Sequence, residues 1–125
     1  MQLKLRNNLL YVSVDIIYKG KSINTADVIV DTGSATTVLS ADLLSQIDIT
    51  PSPNDILYTI RGIGGTEVVF SRHVALQVGK QTLSDFEVEI SRMDYGFPIT
   101  GILGLDFLLQ THAIIDLDSM KLFFQ

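Results

Sequence analysis

The run Val28-Ile29-Val30-Asp31-Thr32-Gly33-Ser34 constrains this chain more than any other stretch. Three apolar β-formers end abruptly in a carboxylate, a small hydroxyl and a glycine. That is how a buried strand hands a charged side chain to a tight turn. A charge delivered from a strand interior is seldom fully buried without a partner, so Asp31 is paired, hydrogen-bonded or used.

Around this turn most segments are β-like. Leu10 to Tyr18 is β-branched and partly alternating before Gly20 breaks it, Ile23 to Asp31 carries the turn, and Thr36 to Leu39 resumes β character. Ser40 can cap a short helix over Ala41 to Ile47, with Asp42 in its first turn and Pro51 and Pro53 ending it. Leu57 to Arg61 and Thr66 to Phe70 flank Gly62-Ile63-Gly64-Gly65, a glycine-tipped hairpin. Val74 to Val78 and Phe86 to Ile90 form two more strands. The apolar run Ile99 to Leu105 then leads to a short helix over Asp106 to Gln110. Ala113 to Leu117 and Lys121 to Phe124 make a closing hairpin around Asp118-Ser119.

The order strand, Gly-Lys turn, strand, loop and helix occurs twice, with turns at Gly20-Lys21 and Gly79-Lys80. An internal duplication about a pseudo-twofold axis gives such a pattern. The expected fold is all-β with short helices, in one domain over residues 1–125, a length sufficient for one core.

Composition excludes several classes of function. Apolar content of 46% against 18% charged residues rules out disorder. An excess of 14 acidic over 9 basic residues, net charge −5, disfavours nucleic acid, whose phosphates need cationic neutralisation. The chain has no cysteine, hence neither disulfides nor thiolate metal sites. After Lys4 and Arg6 the apolar run Leu9 to Val12 soon meets Asp15, too short for a signal segment or a membrane span. A soluble cytoplasmic protein with no membrane partner is the expectation.

Three signals now stand in order: Asp31-Thr32-Gly33-Ser34, the Gly62-Ile63-Gly64-Gly65 hairpin, and Ile102-Leu103-Gly104 before a short helix. Together they resemble the retropepsin-like (retroviral-type) aspartic peptidases, over about Leu10 to Phe124. The resemblance implies an acid-protease barrel of one lobe with a flap hairpin. Asp31 is then the catalytic residue, Thr32, Gly33 and Ser34 its active-site loop, Gly62 to Gly65 the flap tip, and Ile102-Leu103-Gly104 the second-half motif supporting that loop. It further implies that Thr32 bonds across to a partner's loop and that Ser34 donates to the outer oxygen of Asp31. Val38, Ile63, Ile99 and Ile102 become pocket walls, with plain core as their alternative.

The chemistry can be argued from the groups themselves. A carboxylate deprotonates water while a carboxylic acid polarises the peptide carbonyl and later protonates the amine. As is established for aspartic proteases, two carboxyl groups about 3 Å apart cannot both ionise and so share one proton. No second Asp-Thr-Gly or Asp-Ser-Gly occurs here, so a second copy of Asp31 must complete the pair across a twofold axis. A homodimer acting on an extended polypeptide, without cofactor, is the implied enzyme. A catalytically silent dimerisation or peptide-binding module of the same fold is the competing reading.

Departures from the retroviral pattern are informative. Ala35 and Thr36 stand where an acidic pair is common, Arg61 where a flap glycine is common, and Leu105 where arginine is. Gly104 to Leu108, Ile115-Asp116-Leu117 and Leu122-Phe123-Phe124 look more like the DNA-damage-inducible and skin retroviral-like proteases. That resemblance places a dimer interface at Ala113 to Phe124. His73 and His112 lack ligand spacing, so no metal is expected. Asp106 is read as serving a helix N-terminus, and Glu87 and Glu89 as solvated residues on one strand face.

Overall fold

The fold is described from a computed structural model covering residues 1–62 and 65–125. The β-formers pair locally first. Strand β1 (Lys4–Arg6) lies against β2 (Leu9–Tyr18), which turns back into β3 (Lys21–Val30). Lys19 (φ 48°) and Gly20 (φ 81°) make that turn, the left-handed pair that matches the twist of a two-residue hairpin.

Strand β4 (Val38–Ser40) runs into helix α1 (Ala41–Ser45), whose first turn is capped as expected: the Leu43 amide donates to Ser40 Oγ at 3.3 Å. The helix stops at Ser45, two residues short of the expected end.

Strand β5 (Tyr58–Gly62) pairs antiparallel with β6 (Gly65–Val78), so the hairpin strands form as expected. Ile63 and Gly64 lie outside the described residues. Strand β6 is continuous, although Ser71-Arg72-His73 suggests a break between two strands. The polar residues stay in the strand because Arg72 forms a two-pronged ion pair with Asp55, at 2.5 and 2.9 Å, tying the preceding loop to the sheet.

Strand β7 (Gln81–Ser91) extends further toward its N-terminal end than its apolar core suggests. Strand β8 (Gly101–Leu103), helix α2 (Leu105–Gln110) and the hairpin β9 (Ala113–Asp116) and β10 (Lys121–Phe124) complete the chain.

Connectivity decides where the site falls. The sheet order is β1-β2-β3-β8-β4-β7-β6-β5, and β2 also pairs with β6, so strands β2, β3, β8, β4, β7 and β6 close into a ring. Strand β8 inserts between β3 and β4, parallel to the first (Ile29 opposite Ile102) and antiparallel to the second (Val38 opposite Ile102). Strand β4 pairs in parallel with β7. The core inside the ring includes Ile16, Val28, Leu39, Leu76 and Leu103, all essentially without solvent exposure. Phe107 of α2 packs edge-on against Phe86 and Phe124, anchoring helix and terminal hairpin to the same core.

Residues 1–3 run beside β10, with amide-to-carbonyl bonds from Leu3 to Met120 (2.9 Å) and from Leu122 to Met1 (2.8 Å). Leu122 is buried beneath this strip, while Ile114, Leu117 and Phe123 are exposed. Among the described residues no helix is long and apolar enough to cross a membrane.

Candidate functional site

Asp31 follows the last residue of β3 and sits half-buried at the mouth of a turn whose next residues, Thr32 and Gly33, are exposed. Its backbone is anchored from below: the Asp31 amide donates to the Leu103 carbonyl at 3.0 Å. The Gly33 amide donates to Asp31 Oδ1 at 2.9 Å, and the Ser34 amide to the Asp31 carbonyl at 3.2 Å. A side chain on Gly33 would start 3.2 Å from Asp31 Oδ1, so the glycine leaves room for the carboxylate.

Ser34 departs from expectation. Its hydroxyl donates to the Thr36 carbonyl at 2.7 Å and not to Asp31, because that carbonyl turns inward within the same loop, while the Gly33 amide serves the carboxylate. Ser34 therefore shapes the turn.

Ile102-Leu103-Gly104 lies directly under the turn. Leu103 receives the Asp31 amide, and the Leu105 amide donates to the Ser34 carbonyl at 2.7 Å. Gly104 is packed so closely that a Cβ there would lie 2.2 Å from the Thr36 carbonyl oxygen.

Thr37, fully buried, locks this contact. Its hydroxyl accepts the Gly104 amide (3.0 Å) and donates to Asp106 Oδ1 (2.8 Å), while its own amide donates to Asp106 Oδ2 (3.1 Å). Asp106 does serve its helix, since the Phe107 amide donates to Oδ1 at 2.7 Å, but both oxygens are also spent on bracing the turn. Sequence reasoning missed Thr37. Its only signal was a small hydroxyl beside an apolar strand, a common occurrence.

Glu89 corrects an expectation outright. It is 6% exposed and Glu87 is exposed, although both share one face of β7. Strand β4 pairs with β7 there, the Glu89 amide donating to the Thr37 carbonyl at 3.0 Å, and this brings Thr36 and the α2 residues Asp106 and Gln110 against the Glu89 side chain, covering that end of the face. Glu89 Oε2 is buried without a hydrogen-bond partner. Burial pushes the carboxyl above the usual carboxylate range, the Thr36 hydroxyl opposes this, and the negative charges of Asp106 and Glu87 add to it.

A raised folded-state value means the folded protein binds this proton more tightly than the unfolded chain does. The penalty is fully present at neutral pH and fades as pH falls toward the ordinary carboxylate value. Glu89→Gln is therefore expected to raise the melting temperature at pH 7 by roughly 3–5 °C, for about 1 kcal/mol gained. The gain should shrink toward pH 4, and scanning calorimetry at both pH values checks it.

The expected pocket residues come together. Val38, Ile99 and Ile102 join Tyr11, Ile29, Met93 and Ile60 in a second apolar cluster on the side of β8 away from the main core. Val38 and Ile99 are themselves buried, and Ile102 is partly so. Ile99 and Met93 line a pocket of about 410 Å³ with Ser40, Leu43, Arg92 and Thr100.

The β5–β6 hairpin reaches the same region. Ile60 packs on the apolar cluster, and its cross-strand neighbour Glu67 accepts hydrogen bonds from Ser91 Oγ (3.0 Å) and from the Tyr95 hydroxyl. Among the described residues, no group of three or more His, Asp or Glu is placed to hold a metal ion.

The family model described as aspartyl protease matches residues 12–107, which contain the turn, the hairpin and the Gly104 contact. Among solved structures, that of EIAV protease complexed with the inhibitor HBY-793 is similar: TM-score 0.63 and 23% identity, covering 89% of this chain and 95% of that one. Likeness at that identity establishes the fold, an all-β retropepsin fold. No curated protein sequence matches the chain.

Proposed function

Because the chain belongs to the aspartyl protease family, we propose that it is a homodimeric aspartic endopeptidase, acting as one domain on extended polypeptide segments. The observation that carries this reading is Asp31: one carboxylate per chain, half-exposed on a turn whose neighbours are nearly all tied down by β8, Thr37 and Asp106. A group held that firmly yet left open is preorganised for a partner.

Two such turns meeting across a twofold axis form the proton-sharing pair. One carboxylate takes a proton from water as the water oxygen attacks the carbonyl carbon. The other, protonated, donates to the carbonyl oxygen; the first carboxyl then passes the proton it took from water to the amine nitrogen as the C–N bond breaks, and the second takes back a hydroxyl proton as the product acid forms. Thr32, exposed beside Asp31, would bond to the partner's turn. The β5–β6 hairpin would cover the substrate, which adds as a strand above the apolar cluster of Val38, Ile99 and Ile102.

Exposed apolar side chains support the second copy. Leu105 and Leu109 on α2 and Ile114 and Phe123 on the terminal hairpin are exposed, and a monomer would leave them in water. This interface includes Ala113 to Phe124, and Leu105 replaces a charge there with apolar contact, as in the DNA-damage-inducible and skin retroviral-like group.

The test joins assembly to cleavage. Sedimentation should give a dimer at micromolar concentration, and a mixed peptide library incubated at pH 4 to 7 should be cut between apolar residues. A stable dimer that cuts nothing would favour the silent module; a monomer that cuts would refute the shared pair.

A further inference from the structure

The polar contact between hairpin and wall is not required by the chemistry above. Glu67 stands on β6 two residues beyond Gly65, opposite Ile60, so its side chain lies on the hairpin face that meets the apolar cluster. A carboxylate on such a face would ordinarily be costly. Here both of its oxygens are used: Oε1 accepts from the Tyr95 hydroxyl, and Oε2 accepts from Ser91 Oγ at 3.0 Å.

The two donors come from different places. Ser91 is buried at the end of β7, paired with Ser40 of β4, and so belongs to the rigid ring. Tyr95 belongs to the segment 92–100, which joins β7 to β8 and supplies Arg92, Met93, Ile99 and Thr100 to the 410 Å³ pocket. Its ring leans on Phe97, with centroids 6.4 Å apart. Partial burial and the neighbouring Glu67 hold the phenol proton in place by pushing its pKa well up.

We propose that Glu67 is a positioning residue that clasps the β5–β6 hairpin to the 92–100 segment, fixing the height of the hairpin over the groove. Both arms of the clasp matter: Ser91 ties the hairpin to the ring, and Tyr95 ties it to the pocket wall, so hairpin and wall move as one unit. A substrate strand then enters a slot of set width on that side. The inference rests on the endopeptidase reading for its effect on catalysis, but not for the contact itself.

Hydrogen exchange of the intact protein tests the contact without any activity. Tyr95→Phe should speed exchange of the β5 and β6 amides between 58 and 70 by about tenfold, the effect of losing one hydrogen bond to a charged group, and Glu67→Ala, which loses both bonds, should speed it further. Exchange in β2, β3 and β7 should not change. Glu67→Gln keeps the shape and one acceptor oxygen, while its amide can donate to the other hydroxyl, so it should restore part of the protection lost in Glu67→Ala. For cleavage, Tyr95→Phe should raise KM about tenfold while kcat moves less than twofold.

Hairpin exchange unchanged in Tyr95→Phe and Glu67→Ala would overturn the clasp. Faster exchange spread over the whole chain would also overturn it, reducing Glu67 to a contributor to global stability. If the wild-type protein cuts no peptide, the endopeptidase reading fails, and the exchange result still decides the clasp.

Discussion

Asp31→Asn should lower kcat/KM by at least about 10³-fold while leaving the fold and the dimer in place. The magnitude is that of losing a general acid–base group, and in the proposed homodimer a single substitution removes both members of the pair at once. Stability should barely change, because asparagine keeps an Oδ1 to accept the Gly33 amide. Mixing the variant with wild-type protein at constant total concentration sharpens the result. With free exchange at equal amounts, roughly a quarter of the dimers retain both Asp31 side chains, so activity should fall well below half. A linear decline to one half would show that each chain cleaves alone.

Gly104→Ala should be the most damaging methyl addition among Gly20, Gly33, Gly65, Gly79, Gly96, Gly101 and Gly104. The backbone at Gly104 (φ −89°, ψ −180°) is open to any residue, so the obstacle is space alone. A Cβ would lie 2.2 Å from the Thr36 oxygen, 2.5 Å from the Thr36 carbonyl carbon and 2.9 Å from the Ser34 oxygen. All three are main-chain atoms, which cannot swing aside as a side chain can. Either the turn carrying Asp31 lifts away from β8, or α2 is displaced and the Thr37–Asp106 bonds break.

The expected loss is about 3 kcal/mol or more, a fall in melting temperature of roughly 10–15 °C, with activity lost even below the transition. Gly101→Ala is the comparison. Its closest contact is a terminal methyl of Leu39 at 2.8 Å, which can rotate, so a smaller loss should follow. Equal melting temperatures for the two variants would refute the assignment of Gly104 as the close contact.

The residues that sequence reasoning found are those whose chemistry is local. An apolar strand ending in Asp-Thr-Gly, and a glycine run before a short helix, state their geometry within a few positions, and the fold brings them together through the Leu103 and Leu105 bonds. Glu89, Thr37 and Glu67 were missed for a common reason. Alternation along a strand assigns a face, but it does not say which part of that face a distant segment will cover. Glu87 and Glu89 have the same parity, and what separates their fates is Thr36 and Asp106, both distant in sequence, which lie against Glu89.

The continuous β6 was missed similarly, since the partner that keeps Arg72 in the sheet, Asp55, lies in a loop. Ser34 shows the converse limit. The motif is present, but its hydroxyl has a nearer acceptor in the Thr36 carbonyl.

The insertion of β8 between β3 and β4 has a consequence for biogenesis. Val28 meets Gly101 across more than half the length of the polypeptide, a separation of the kind that makes folding slow. During synthesis the Asp31 turn thus has no floor until β8, about seventy residues later, has been made. A nascent or truncated chain that stops short of β8 can display the carboxylate without its geometry, so any hydrolytic capacity would be withheld until that strand has been added.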